Sequence, residues 1–476
     1  MTMLTVPLGP DLTRAQAEAI VAQGTEATIF ALLQFAKLLA EQARPVGPAP
    51  STPSGMIPPY LKPTAVEGTP RGSKKKPGAR PGHAGARRPV PERVDHYETH
   101  LLDVCPDCGG PVRECRERRR KRYIEDIPAD LRAEVTEHTI AGYWCGACKK
   151  EVEPTVPDAL PRSPLGHRAV VLSAWLHYGL GNTLSQIRDV FNHHLQLTVT
   201  TGGLCGMWSR LQEILFPWYE QIQREALDSA VLHGDETSWR VRGKTWWLWS
   251  FANRELTYYL IHRGRGEAAL REFFIEEFAG TLVSDFWGPY NKIVAVAKQK
   301  CLVHLLRDLK HVEKYKQPGP QWPAFAKKLR RLVADALRLK SQQDTLPADT
   351  FAAQRERFPA RLEELIATPW EDRQSRRLIK RLKRHRHELF TFLEHADVPF
   401  DNNLAERAIR PAVIIRKNSY CNRSERGADI QAVLMSIYRT LTQRGHPFLE
   451  TITQALRTYL TTGQLPPLPG KDAGFG

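Results

Sequence analysis

No apolar run in the chain approaches the roughly 20 residues that a bilayer-spanning helix needs, which excludes a helical membrane protein. Residues 1–13 lack the charged-then-apolar succession of a secretory signal, so the expectation is a soluble cytosolic protein. Acid is the scarcer charge: 52 Asp and Glu stand against 68 Lys and Arg, a net +16. That imbalance favours a polyanionic partner, nucleic acid ahead of an anionic membrane surface. Residues 43–93 have neither Trp nor Phe and are dominated by Pro and Gly, so they cannot bury a core and read as a disordered linker. Within it, Lys74, Lys75, Lys76 and Arg80 have no compensating acids nearby. They read either as a solvated run or as phosphate contacts.

Cysteine is sparse but clustered. Of eight in the 476 residues, five lie between positions 105 and 148. In a reducing compartment such clustering argues for metal rather than disulfides. Cys105-Pro-Asp-Cys108 and Cys145-Gly-Ala-Cys148 form two CxxC knuckles 36 residues apart. Four thiolates on two turns match a tetrahedral structural Zn²⁺ site, a zinc ribbon over residues 94–158, with a redox pair as the alternative. Cys115 is a spare. Between the knuckles, Arg118, Arg119 and Arg120 belong to a basic run that suits phosphate or simply a solvated hairpin.

The length implies two to four domains. Residues 1–42 carry a helical segment from position 14, broken at Gly24, either a plain amphipathic helix or a dimerising coiled coil. Three short helices at 166–179, 184–194 and 201–221, the last capped by Thr200 or Thr201, make residues 159–228 a helix-turn-helix-like subdomain or a plain helical one. From Ala230 the texture turns to strands: 231–233, 245–251, 256–262, 281–284 and a short one near 300–303, with a helix over 267–278. Trp246, Trp247 and Trp249 read as core and cross-strand packing. Residues 322–396 read as helical with basic faces. A helix pair over 403–443, broken at Pro411, precedes a loose tail from Pro466.

Three acidic motifs stand out against the basic background: His233-Gly-Asp235-Glu-Thr237, Val283-Ser-Asp285-Phe-Trp287 and Asp401-Asn-Asn-Leu-Ala-Glu406-Arg407. The two aspartates are expected at strand ends. Glu406 is expected one turn into a helix whose start is signalled by the capping residues Asp401, Asn402 and Asn403. Asn402 and Glu406, four apart, would share a face. Cutting a phosphodiester requires a nucleophile to lose a proton while the leaving oxygen gains charge, and two Mg²⁺ ions held by hard carboxylate oxygens serve both needs. Cys301 and His304 read as a structural pair beside such a site or as ligands of a second zinc. In the basic helix from Arg373 to Arg386, Arg373, Arg377, Lys380 and Arg384 share one face, opposite Leu378, Leu382 and Leu389.

Together these motifs resemble the insertion-sequence-66 family of bacterial transposases, which are of the DDE type. The resemblance runs from about residue 70 and is carried by 75–83 (KKPGARPGH), the two knuckles, Gly234–Thr237, Ser284–Tyr290, Cys301–Arg307 and most specifically Pro399–Pro411 (PFDNNLAERAIRP). It implies an RNase-H-like α/β catalytic core in a multi-domain α+β chain. The core would run over 229–320 and 399–465, interrupted by a helical insertion at 321–398 and followed by a tail at 466–476. It further implies that Asp235, Asp285 and Glu406 are a metal-binding triad for two Mg²⁺ (or Mn²⁺) ions. The reading is then a transposase that binds element ends, cuts them and transfers the strand to target DNA. Double-stranded DNA, as terminal inverted repeats and target, would be its partner. A homodimer or higher oligomer on DNA, small accessory proteins and a cytoplasmic, nucleoid-associated location follow. Lys74–Lys76, Arg80, Arg118–Arg120, Arg377, Lys380, Arg384, Arg407, Arg410, Arg416 and Lys417 are the candidate DNA contacts. The alternatives are a nuclease of the same fold without strand transfer and an inactive zinc-dependent DNA-binding regulator.

Overall fold

The computed structural model describes residues 14–22, 24–25, 28–29, 31–33, 90–113, 120–128, 131–161 and 163–471. Lys74, Lys75, Lys76, Arg80, Arg118, Arg119 and Cys115, and most of the 43–93 linker, lie outside the described residues.

The first strand pair is small. Tyr143–Cys145 (β1) runs antiparallel to Lys150–Val152 (β2), so the second CxxC knuckle is the turn of a hairpin. The main sheet has five strands: Val231–Val241 (β3), Lys244–Ala252 (β4), Thr257–His262 (β5), Phe278–Ser284 (β6) and Ala295–Lys300 (β7). Their order is β5-β4-β3-β6-β7. β3, β4 and β5 form an antiparallel meander, while β6 lies parallel to β3 and β7 parallel to β6. This mixed order is compatible with an RNase-H-like core.

Strand β3 is longer than local propensity suggested, because it pairs with β4 from His233 to Val241. Asp235 therefore sits mid-strand rather than at a strand end. Its pairing with β6, however, stops at His233↔Val283, so Asp235 lies where the parallel half of the sheet opens. Trp247 and Trp249 are buried in the core, whereas Trp246 is only partly buried and lies under the guanidinium of Arg263.

Helices Thr201–Leu227 and Glu425–Gln443 cover the sheet and share one continuous core with it, extending to His167–Ala174 and Phe448–Thr462. Thr200 caps the first of these through Gly203 N–H at 3.1 Å. A second core gathers residues between Leu302 and Val398, including helices Leu302–Tyr315, Trp322–Ser341 and Arg373–Arg384, and meets the sheet at Val283. Between Glu267 and Phe278 the helix spans only Glu267–Phe273. The strand expected near 300–303 lies at Ala295–Lys300, with a helix starting directly after Cys301.

Two further expectations change. Pro411 does not break its helix, which runs Asn403–Ser419, because Ala405, Ala408, Ile409, Ala412 and Ile415 stay buried on one face across the missing hydrogen bond. The tail is anchored at least to residue 469: Pro466 O accepts from Trp218 Nε1 (2.7 Å), Pro469 O from Arg444 Nη1 (2.6 Å), and Leu468 is buried. Among the described residues, no helix is long and apolar enough to cross a membrane.

Candidate active site

The three acids arrive from three elements: Asp235 from mid-β3, Asp285 just past the end of β6, and Glu406 from the first turn of helix Asn403–Ser419. The joint between these elements is Asn402. Its side chain does not cap the helix, contrary to the expectation from local sequence. It turns into the sheet, donating to Gly234 O (2.9 Å) and meeting His233 Nδ1 through Oδ1 (3.0 Å). The Asn402 N–H reaches Cys301 Sγ (3.3 Å), and Cys301 N–H bonds Ser284 O (2.9 Å). One fully buried asparagine thus ties the helix of Glu406 to β3 beside Asp235 and, through Cys301, to β6 beside Asp285. Burial drops the His233 pKa to about 4 and raises the Cys301 thiol to about 11, so both are neutral links at physiological pH.

Like charges crowd this region. Asp235 has its carboxyl pushed well above the ordinary range, first by burial, then by Glu236, Asp285 and Glu406. Glu236, buried beside it, is raised to about 7 by burial and by Asp285, against the opposing pull of Arg265 and Tyr290. Arg265 holds Glu236 Oε1 with two N–H groups (3.0 and 2.8 Å), and Tyr290 OH donates to Oε2 (2.9 Å). The same guanidinium lies between the indoles of Trp247 and Trp287, 4.5 and 3.8 Å from their ring centres. Trp287 donates its backbone N–H to Asp285 Oδ1 (2.8 Å) and its indole N–H to Arg265 O (3.1 Å). The two Asp-bearing segments are therefore braced against each other through Arg265.

Glu406 has a cationic partner of its own. Arg307, on helix Leu302–Tyr315, donates to both its oxygens (3.0 and 3.5 Å), and His304 Nε2 lies 3.9 Å away. Burial lowers the His304 pKa, while Asp285 and Glu406 act to raise it. Among the described residues, no three His, Cys, Asp or Glu side chains are grouped as a metal cage. The donor set nonetheless suits a hard divalent ion: it is made of carboxylate oxygens, and only Glu236 and Glu406 carry an arginine partner.

At the cysteine knuckles the backbone points toward sulfur. Cys148 N–H bonds Cys145 Sγ (3.4 Å), and the thiols of Cys105 and Cys145 are both lowered chiefly by backbone N–H groups within their own turns. That environment favours thiolates, the form in which cysteine ligates a metal, although among the described residues the two knuckles are not grouped as one metal site. Cys301 points instead to Asn402, and His304 to the acids.

The basic candidates divide. Arg407, Arg410 and Lys417 are exposed along one helix, and Arg120, Lys380 and Arg384 are exposed elsewhere. Arg416 is committed inward, donating to Thr237 Oγ1 (2.9 Å) and Ser238 O (2.5 Å). Arg377 pairs with the fully buried Asp308 (2.9 Å), which Arg381 also holds (2.6 Å). Sequence reasoning missed the roles of Arg265, Tyr290 and Arg307. Arg307 lay inside the Cys301–Arg307 motif, but its partner is 99 residues away.

A family model described as Transposase IS66 family matches residues 162–430, a span containing all three acids. No curated protein matches the chain.

Proposed function

Since the chain belongs to the IS66 family of transposases, we propose that it binds the ends of an insertion sequence, cuts them in a metal-dependent step and joins the freed 3′-hydroxyl to target DNA. The observation that supports this reading is the Asn402 joint, which ties the helix of Glu406 to β3 beside Asp235 and, through Cys301, to β6 beside Asp285. The three acids would hold two Mg²⁺ or Mn²⁺ ions. Such ions, when bound, lower the pKa of the attacking hydroxyl and stabilise charge on the leaving oxygen.

The chain's own residues do the positioning. Asn402 holds the helix of Glu406 against β3, and Arg265 fixes Glu236 and the Trp287 turn that orients Asp285. Arg307 pairs with Glu406 and would have to yield its oxygens to an ion bound there. Exposed Arg407, Arg410 and Lys417, with Lys380, Arg384 and Arg120, would neutralise DNA backbone. Lys74–Lys76, Arg80, Arg118 and Arg119 would extend that surface. Cys105, Cys108, Cys145 and Cys148 would take one structural Zn²⁺. The protein would act in the cytoplasm at the nucleoid, as a dimer or larger assembly on double-stranded DNA, with or without small accessory proteins.

The test is an end-nicking and end-joining assay on labelled element ends with Mg²⁺. Wild type should give both nicked and joined products, and Glu406→Gln and Asp235→Asn neither. Nicking without joining would reduce the reading to a nuclease, and unchanged activity in both variants would sink it.

A further inference from the structure

Helix Asn403–Ser419 leads away from the acid site and ends in an unusual way. Its exposed residues after Glu406 are Arg407, Arg410, Ile414, Lys417 and Asn418, a largely basic face at three- and four-residue spacing. The residue that ends it is Tyr420, in the left-handed region at φ 55°, and Cys421 follows at φ 69°. Glycine or asparagine is the usual solution at a left-handed helix end. A bulky aromatic there, followed by a second non-glycine residue in the same region, is strained.

The strained turn is held rigidly. Asn422 exchanges backbone hydrogen bonds with Arg240 O and Arg242 N (both 3.1 Å), accepts from Trp239 Nε1 (2.7 Å) and donates to Gly427 O (3.0 Å). Its clamp is the tip of the β3–β4 hairpin, whose Arg242 and Gly243 also have positive φ. The result is a ring 86% exposed to solvent on a fixed loop. Arg240, Arg242, Lys244, Lys417 and Arg423 around it are all exposed. The nearby acid Glu425 is already paired with Arg263 at 2.8 Å. Tyr420 lies fourteen positions after Glu406 along the helix, roughly 20 Å at about 1.5 Å per residue. That is about six base pairs of duplex at about 3.4 Å per step.

We propose that Tyr420 is a stacking platform for an unpaired DNA base, set in a cationic collar about six base pairs from the acid site. A purely electrostatic contact needs no aromatic ring, and a rigidly offered one costs little entropy on stacking. The inference rests on the DNA-processing reading above, but its test does not depend on chemistry at the acids.

Binding of full-length protein is measured in EDTA, so that no cleavage occurs. The probes are a short duplex and the same duplex with an internal unpaired stretch. Wild type should bind the unpaired probe about tenfold more tightly, in line with about 1–3 kcal/mol per stacked base. Tyr420→Ala should lose that preference, Tyr420→Trp should keep it, and Lys417→Gln should weaken both probes alike. Tyr420→Gly, which relieves the left-handed strain, should lose the preference without any drop in Tm, separating recognition from folding. The inference is overturned if Tyr420→Ala or Tyr420→Gly retains the preference, or if binding to both probes falls equally. Failure of wild type to nick element ends with Mg²⁺, with its preference for the unpaired probe intact, would instead count against the acid site.

Discussion

Arg307 donates to both carboxylate oxygens of Glu406, at 3.0 and 3.5 Å, so the third acid of the candidate site is neutralised by a residue 99 positions earlier in the chain. Arg307 is about half exposed, and such pairs contribute roughly 0–1 kcal/mol. Arg307→Gln should therefore raise Mn²⁺ affinity a few-fold in calorimetric titration, while Glu406→Gln lowers it. Unchanged or weaker metal binding in Arg307→Gln would show that the arginine is not competing with the ion.

Asp235→Asn should separate stability from function. Its carboxyl is disfavoured by burial and by Glu236, Asp285 and Glu406. Removing the charge should raise the Tm of the protein in EDTA, corresponding to about 1–2 kcal/mol, while abolishing Mg²⁺-dependent nicking. A lower Tm would mean that the like-charge crowding is not a net cost.

Asn402→Ala should destabilise by about 2–4 kcal/mol in urea unfolding, since it strands Gly234 O, His233 Nδ1 and the tie between three elements in a dry interior. Arg410→Ala, at an exposed position, should shift stability by no more than about 0.5 kcal/mol. Similar effects from the two substitutions would refute the role of Asn402 as a joint.

Lys300 offers a pH test. It is fully buried, donates to Ser284 Oγ (2.9 Å), and burial lowers its pKa from 10.5 to about 8. Because the folded pKa is depressed, the folded state binds fewer protons than the unfolded one between about pH 8 and 10.5, and stability gains with pH across that window. Below about pH 8 the penalty of the buried charge is fully present. Relative to Lys300→Met, which cannot titrate, wild-type stability should climb by up to about 3 kcal/mol over this window. A difference independent of pH would refute the buried charge.

Zinc analysis of the purified protein should find about one ion per chain. Cys105→Ser with Cys148→Ser should release it, whereas Cys301→Ser should not, because Cys301 Sγ is engaged with Asn402 N–H. Equal zinc content in all three proteins would exclude the knuckles as the site.

Signals carried by neighbouring residues are legible in the chain itself. Thr200 caps its helix because its hydroxyl needs only the N–H three residues on, and the CxxC turns aim N–H groups at sulfur over the same short range. The strand texture of residues 231–284 likewise reflects side-chain types that a pleated, buried surface accepts. Asn402 shows where such reading stops: local rules make it a cap, but a buried Gly234 carbonyl left without a partner carries a full desolvation penalty, and the side chain turns into the sheet to meet it. The continuity of the helix through Pro411 and the anchoring of residues 466–469 were decided in the same way, by burial against partners remote in sequence.

The order of residues alone therefore determined the basic character, the thiol knuckles, the acidic motifs and the family they belong to, since each is written within a few adjacent positions. Which acids share a neighbourhood, which arginines face solvent and which are spent inside the fold was decided only in three dimensions. Those outcomes depend on desolvation and on charges brought together across 50 to 170 residues, for which a linear chain holds no local sign.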